Sequence, residues 1–172
     1  QHGHSHGVAD RGTLTQRAAL ASISMALFLV AMKTYATWDT GSVAMLGSLA
    51  DTTLDLIASL ITLFGVRWAA MPADEEHRYG HGKAEALAAL FQVGVIAVSA
   101  FAILLRASQR LMESRTSVEA EYGIAVSLVA IVVTLGLTRY QRSVVRRTGS
   151  IAIGTDRIHY ESDLFLNSAV IV

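Results

Sequence analysis

The chain contains no cysteine, so it can form neither disulfide bonds nor thiolate metal sites. Any metal ion must therefore be bound by histidine and carboxylate groups. The chain also has a single proline, Pro72, which leaves long stretches where a helix need not be interrupted. The chain also lacks an excess of charge of either sign, since 14 basic residues balance 14 acidic ones. The charge balance therefore gives no indication of a nucleic-acid partner.

Apolar sequence is what the chain has in abundance. Hydrophobic residues make up 52% of its 172 residues, too many for an ordinary soluble domain of this size. We therefore predict an all-α, polytopic transmembrane helical bundle in residues 15–172, preceded by a flexible tail, residues 1–14, that contains His2, His4 and His6. Five spans are expected in the lipid bilayer, at about residues 17–38, 42–66, 84–105, 117–137 and 151–172.

The predicted second span carries two carboxylates in a run that is otherwise apolar from Gly41 to Val66. An ionised aspartate near the centre of a membrane costs about 2.5–3.5 kcal/mol, so Asp51 and Asp55 need a counter-charge or a water-filled cavity. Residues four positions apart lie on the same side of a helix, one turn apart. Both carboxylates can therefore reach one cation.

A matching pair, His159 and Asp163, lies in the predicted fifth span at the same four-residue spacing. At about 1.5 Å per residue, both pairs fall near the middle of a hydrocarbon core of about 30 Å. Three carboxylates and one imidazole suit a tetrahedral zinc ion, and a set of four protein ligands favours carriage over catalysis, since catalytic zinc usually keeps one position open for water. The alternative is a buried ion pair between two helices.

Three stretches of the sequence resemble the cation diffusion facilitator family, a family of proton-coupled zinc exporters. They are Ser48-Leu49-Ala50-Asp51 with Asp55, the loop sequence HRYGHGKAE at residues 77–85, and Asp156 followed by HYESD at residues 159–163. The resemblance spans nearly the whole chain and points to a bacterial zinc/proton antiporter of the ferrous-iron and zinc efflux type. It implies a transport site whose ligands are Asp51, Asp55, His159 and Asp163. It also implies a second metal site, in the loop after the second span, whose ligands are Asp74, His77 and His81.

The resemblance further implies a homodimer, a sixth transmembrane helix and a cytoplasmic domain. We expect both the sixth helix and that domain to lie outside the present sequence. The fifth predicted span ends at Val172 without a polar flank, which also predicts that a C-terminal part is missing.

The basic residues between the predicted spans indicate an orientation. With the N-terminus in the cytoplasm, nine of them lie on the inner side and four on the outer side, as expected from the excess of basic residues in cytoplasmic loops. The inner set is Arg11, Arg17, Arg67, Arg78, Lys83, Arg139, Arg142, Arg146 and Arg147, and the outer set is Arg106, Arg110, Arg115 and Lys33. We predict a multi-pass protein of the bacterial inner (plasma) membrane with a cytoplasmic N-terminus.

The predicted function is efflux of a divalent cation, foremost Zn²⁺, by antiport with protons. Ligands that bind zinc must first lose their protons, so one site can exchange the two ions. Cd²⁺, Fe²⁺, Co²⁺ and Mn²⁺ stay open as alternative cargo. A metal-gated channel or a membrane metal sensor could use the same four ligands. An intramembrane metalloenzyme is disfavoured because the sequence contains no His-Glu-x-x-His motif, and we predict that the chain is not an enzyme.

Overall fold

A computed structural model describes residues 3–72, 81–112 and 120–171 of the chain. Every regular element in these ranges is an α-helix, which confirms the predicted all-α fold class. The helices are α1 (Gly3–Thr40), α2 (Val43–Ala69), α3 (Lys83–Met112), α4 (Ala120–Thr148) and α5 (Ile151–Ile171).

Three helices extend well beyond the ends predicted from hydropathy. α3 ends at Met112 instead of about residue 105, and α1 and α4 extend further. α1 begins at Gly3 instead of about residue 17, so it includes most of the tail that we expected to be flexible. α4 continues to Thr148 instead of ending near residue 137. Hydropathy marks only the apolar part of a helix, whereas the hydrogen-bonded backbone can continue into water until a breaking residue ends it. The extension of α4 ends with Arg146 and Arg147, whose charges are favourable at a helix C-terminus.

Four helices contain a stretch long and apolar enough to cross a membrane, which indicates a membrane protein. These stretches are Asp10–Thr40, Met45–Ala69, Lys83–Ala102 and Gly123–Thr148. We predicted α5 as a fifth span, but its described part does not meet the same test of length and apolarity. The reason is its four charged residues, namely Asp156, Arg157, Glu161 and Asp163.

The helices form a closed ring of contacts. α1 packs against α2 and α4, α2 packs against α3, and both α3 and α4 pack against α5, while α2 also touches α5 directly. Two tight turns reverse the chain at the ends of α1 and α4, where Gly41 and Gly149 have positive φ angles of 61° and 69°. In each turn the glycine N–H donates to the carbonyl oxygen four residues earlier, that of Thr37 or Val145. Glycine ends both helices because it adopts this left-handed conformation without strain.

Small side chains allow α2 and α3 to approach each other closely. A Cβ atom added at Gly65 would lie closer to the Cβ of Ala88 than two carbon atoms can approach, and 3.1 Å from the carbonyl oxygen of Ala84. Close backbone contact at small residues is a common way of packing helices in membranes. This contact therefore determines the distance between α3 and α2.

Candidate metal site

Three polar residues of α2 face the interior of the helix ring. Thr52, Ser59 and Thr62 are buried, whereas Leu54 and Phe64, on other faces of the same helix, are exposed. The three- and four-residue spacing of the polar side chains explains why they share one face. α2 therefore presents hydroxyl and carboxylate groups to its neighbouring helices and apolar groups outward.

Asp55, His159 and Asp163 lie together where α2 meets α5. The Nε2 atom of His159 is 2.8 Å from Oδ1 of Asp55 and 3.7 Å from Oδ2 of Asp163. One potential ligand atom from each of the three groups lies within 4.8 Å of the other two. Because zinc–ligand distances are about 2.0–2.2 Å, small side-chain movements would bring all three groups around one ion.

Asp51, the fourth predicted ligand, does not belong to this group of three but lines the same cavity. The cavity has a volume of about 110 Å³, and Asp51, Asp55 and Asp163 all contribute to its wall. Its other polar lining residues are Lys33, Ser48, Thr52, Ser99, Thr134 and Tyr160. The structure thus brings three of the predicted ligands close together and places the fourth one helical turn away along α2.

Tyr160 forms a hydrogen bond between α5 and α2 beside the three clustered residues. Its hydroxyl oxygen lies 2.8 Å from Oγ of Ser59, and both side chains are buried. The ring of Tyr160 also packs next to that of His159, with centroids 5.4 Å apart. These contacts restrict the rotation of α5 and so help to hold the imidazole towards Asp55.

Asp156 lies one turn before His159 and connects four helices. Its carboxylate is fully buried and accepts hydrogen bonds of 2.6 Å from Oγ of Ser22 on α1, Nε2 of Gln92 on α3 and Nε2 of Gln141 on α4. Three donors satisfy a buried carboxylate that would otherwise be costly to remove from water. The family resemblance includes Asp156, but the sequence does not predict which side chains donate hydrogen bonds to it.

Lys33 lies in the cavity, which corrects its placement at the outer end of the first span. Its side chain is 8% exposed. The Nζ atom donates a 2.5 Å hydrogen bond to Oγ1 of Thr52 and lies 3.4 Å from the carbonyl oxygen of Ser48. The sequence offers a hint that Lys33 is buried in the bundle, because it is the only charged residue between Arg17 and Asp39. Without Lys33, the outer set of basic residues falls from four to three, and the inner set of nine still predominates.

The second predicted metal site lies mostly outside the described residues. Asp74 and His77 belong to that undescribed segment, so the three-residue site stays a prediction. His81 is described and is buried just before α3 begins. Its ring centroid lies 6.3 Å from that of Trp68, near the end of α2.

Residues 19–172 match the family described as the cation efflux transmembrane domain. The chain belongs to the cation efflux family. This confirms the resemblance to cation diffusion facilitators that Asp51, Asp55 and the stretch from Asp156 to Asp163 predict. The match covers α2 to α5 and the part of α1 from Ala19 onward.

Several relatives are named cation-efflux pump FieF. Those of Klebsiella pneumoniae subsp. pneumoniae and Pectobacterium carotovorum subsp. carotovorum are 46% identical to the chain over 161 and 159 residues, and that of Salmonella arizonae is 44% identical over 161 residues. These alignments cover 92–94% of the chain but 53–54% of the relatives, so the chain spans about half their length. The relatives are named pumps, in agreement with the prediction that the chain is not an enzyme.

Proposed function

We propose that the protein exports a divalent cation, foremost Zn²⁺, across the membrane in exchange for protons. The proposed transport site consists of Asp51, Asp55, His159 and Asp163. The observation that carries the proposal is the convergence of Asp55, His159 and Asp163, from two different helices, beside a small polar cavity within a bundle of apolar helices. The names of the related pumps support outward transport of a cation.

The ligand set favours zinc and its neighbours over harder ions. Imidazole suits Zn²⁺, Fe²⁺ and Co²⁺, whereas a shell made only of carboxylates suits Mg²⁺, Ca²⁺ or Mn²⁺. His159 is the sole nitrogen donor in the proposed set of four. Its Nε2 atom is directed at Asp55 and Asp163, so the nitrogen that would bind the metal already faces the carboxylates.

The contact between His159 and Asp55 supports the proposed coupling to protons. Two hydrogen-bond acceptors would repel each other at 2.8 Å, so a proton must lie between Nε2 and Oδ1 in this arrangement. A metal ion needs the lone pairs of the same two atoms and must therefore displace that proton. Entry of a proton from the opposite side of the membrane would in turn weaken the hold of both ligands on the ion. Metal and proton thus compete for one pair of atoms.

Uptake of Zn²⁺ into proteoliposomes that contain the full-length protein tests this proposal. We expect saturable uptake that increases when the vesicle interior is more acidic than the medium, and loss of that uptake in Asp55→Ala. Glu161→Ala is a matched control, since Glu161 lies on α5 two residues from Asp163 but pairs with Arg157 at 3.3 Å, and both side chains of that pair are only partly buried. Uptake that does not saturate and ignores the pH gradient would indicate a channel instead.

The orientation and assembly of the protein are further parts of the proposal. The distribution of basic residues supports a cytoplasmic N-terminus in the inner membrane, and the family resemblance supports a homodimer. Because this sequence has no cysteine, single cysteines give a clean test of orientation. We expect an impermeant thiol reagent added from outside the cell to label Asp39→Cys and not Ser143→Cys. The reverse pattern would overturn the proposed orientation.

A further inference from the structure

Lys33 brings a positive charge into a cavity whose other ionic groups are carboxylates. It extends from α1, and its Nζ atom is held by Oγ1 of Thr52 and lies near the carbonyl oxygen of Ser48, both on α2. Asp51 follows Ser48 by three residues, and Asp55 follows Thr52 by three, so the ammonium group is fixed beside the turns of α2 that carry both carboxylates. Lys33, Asp51, Asp55 and Asp163 line one cavity.

Burial of Lys33 has an unfavourable free energy, because its ammonium group loses much of its hydration in the cavity. Two neutral oxygens do not replace that hydration fully, whereas three neighbouring carboxylates provide a strong electrostatic attraction. An apolar side chain at position 33 would pack in the same helix without this cost. The lysine therefore matters for the charge of the cavity more than for the packing of α1.

The formal charges of the cavity match a divalent ion. Metal binding requires ionised carboxylates and a neutral imidazole, which gives the three aspartates together a charge of −3. The ammonium group of Lys33 reduces the total to −2, and a divalent ion makes it zero. Without Lys33, a trivalent ion would give the neutral site and a divalent ion would leave one uncompensated negative charge in a poorly solvated space.

We propose that Lys33 is a specificity-determining residue that sets the charge of the transport site for divalent cations. The inference rests on the proposed function of that site. Lys33 does not bind the metal in this account. It acts through the field that it creates at the carboxylates, which lowers their affinity for every cation and lowers it most for cations of higher charge. A weaker hold on the divalent ion also favours its release during transport.

The test compares ions of different charge on the purified full-length protein. Zn²⁺ and Cd²⁺ affinities are measured by titration calorimetry and Tb³⁺ affinity by its luminescence, with the signal of Asp55→Ala subtracted so that only this site is counted. For Lys33→Met, we expect tighter binding of both divalent ions. The affinity of Tb³⁺ relative to Zn²⁺ should rise by about tenfold or more, since one unit of charge in a site of low dielectric has an effect of this order. The ratio of Cd²⁺ to Zn²⁺ affinity should not change, because both ions carry the same charge.

Two variants control for effects other than charge, and a third repeats the removal of the charge. Lys33→Arg keeps the positive charge and should keep the wild-type ratio of Tb³⁺ to Zn²⁺ affinity. Lys83→Met makes the same chemical change at the other lysine of the chain, which is exposed at the start of α3, and should leave the ratio unchanged. Lys33→Gln replaces Lys33→Met if the latter does not fold, with the same expected shift.

The outcomes separate this inference from the function on which it rests. If Asp55→Ala binds Zn²⁺ as tightly as the wild type does, the proposed transport site is wrong. If Asp55→Ala loses Zn²⁺ binding but Lys33→Met and Lys33→Gln keep the wild-type ratio of Tb³⁺ to Zn²⁺ affinity, the site stands and the role of Lys33 is refuted. A shift that also occurs in Lys33→Arg would refute it as well, because the charge is then not its cause.

Discussion

The Nε2 atom of His159 lies 2.8 Å from Oδ1 of Asp55 and so joins α5 to α2 inside the helix ring. These residues are 104 positions apart in the sequence, and their contact lies beside the cavity that Asp51 and Asp163 line. A shift of either helix would separate the two atoms. Any change in the relative position of α2 and α5 is therefore a change in the geometry of the proposed metal site.

The two aspartates of α2 differ in their distance from the imidazole, which predicts a graded effect of their removal. Asp55→Ala should lower Zn²⁺ affinity by at least about 100-fold, the upper range for loss of a group that supports a metal site. Asp51→Ala should abolish transport as well, but its loss of equilibrium affinity should be smaller, because Asp51 is not among the three groups already in contact. Calorimetry and initial transport rates measure the two effects. Near-normal zinc transport in either variant would contradict the ligand assignment.

Replacement of the only nitrogen donor should change selectivity without abolishing transport. His159→Asp keeps an ionisable ligand at the same helical position, four residues from Asp163, but gives a shell of oxygen donors alone. We expect discrimination of Zn²⁺ against Mn²⁺ to fall. The pH dependence of zinc transport should also change, since the imidazole nitrogen for which metal and proton compete is no longer there.

Competition between Zn²⁺ and Mn²⁺ flux, measured at two pH values, checks this prediction. Glu161→Ala again serves as the control on α5, with both properties expected to match the wild type. If His159→Asp showed the wild-type selectivity and pH profile together, His159 would not be a ligand.

Loss of the buried carboxylate at Asp156 should destabilise the helix bundle. Asp156→Ala removes the acceptor shared by Ser22, Gln92 and Gln141, and each buried donor left without a partner costs about 1–3 kcal/mol. We expect a clear fall in the midpoint of thermal unfolding in detergent. Glu161→Ala, which removes a half-buried carboxylate with a single ion-pair partner from the same helix, should shift the midpoint less. Equal midpoints for the two variants would show that the four-helix connection adds no stability.

A methyl group at Gly65 should disturb the contact between α2 and α3. In an exposed helix, glycine to alanine stabilises by about 0.5–1 kcal/mol, because alanine loses less backbone entropy. Gly65→Ala should nevertheless lower the unfolding midpoint, since its Cβ would overlap that of Ala88. Gly94→Ala is the matched control on α3, where a Cβ atom meets nothing within 4 Å, and should not lower the midpoint. A stabilising effect of Gly65→Ala would contradict the close approach of the two helices.

The spacing of residues within single helices predicted much of the candidate site. Four-residue spacing predicted that Asp51 shares a face with Asp55, and His159 with Asp163, because this spacing is set by the helix itself. Spacing within a helix does not determine how far one helix lies from another. For that reason the sequence could not predict that Asp55 is closer than Asp51 to His159, or that Gln92 and Gln141 meet at Asp156.

Hydropathy gave the approximate positions of the helices but not their ends or their charged interior residues. The prediction ends α4 near residue 137, but the helix continues to Thr148. Its last turns are polar, and hydropathy detects only apolar stretches of helix. The sequence places Lys33 with the outer basic residues only because it lies near the outer end of the first predicted span. Here the polar face of α2 provides Thr52 as a nearer partner, which only the packing of α1 against α2 reveals.

Anomalous diffraction would show whether one divalent ion binds between α2 and α5. Crystals of the full-length protein grown with Zn²⁺ would be measured on both sides of the zinc absorption edge. We expect an anomalous peak about 2.0–2.2 Å from Nε2 of His159 and from carboxylate oxygens of Asp55 and Asp163, with Asp51 turned towards the same peak. Zinc peaks elsewhere, with none between Asp55 and His159, would contradict it.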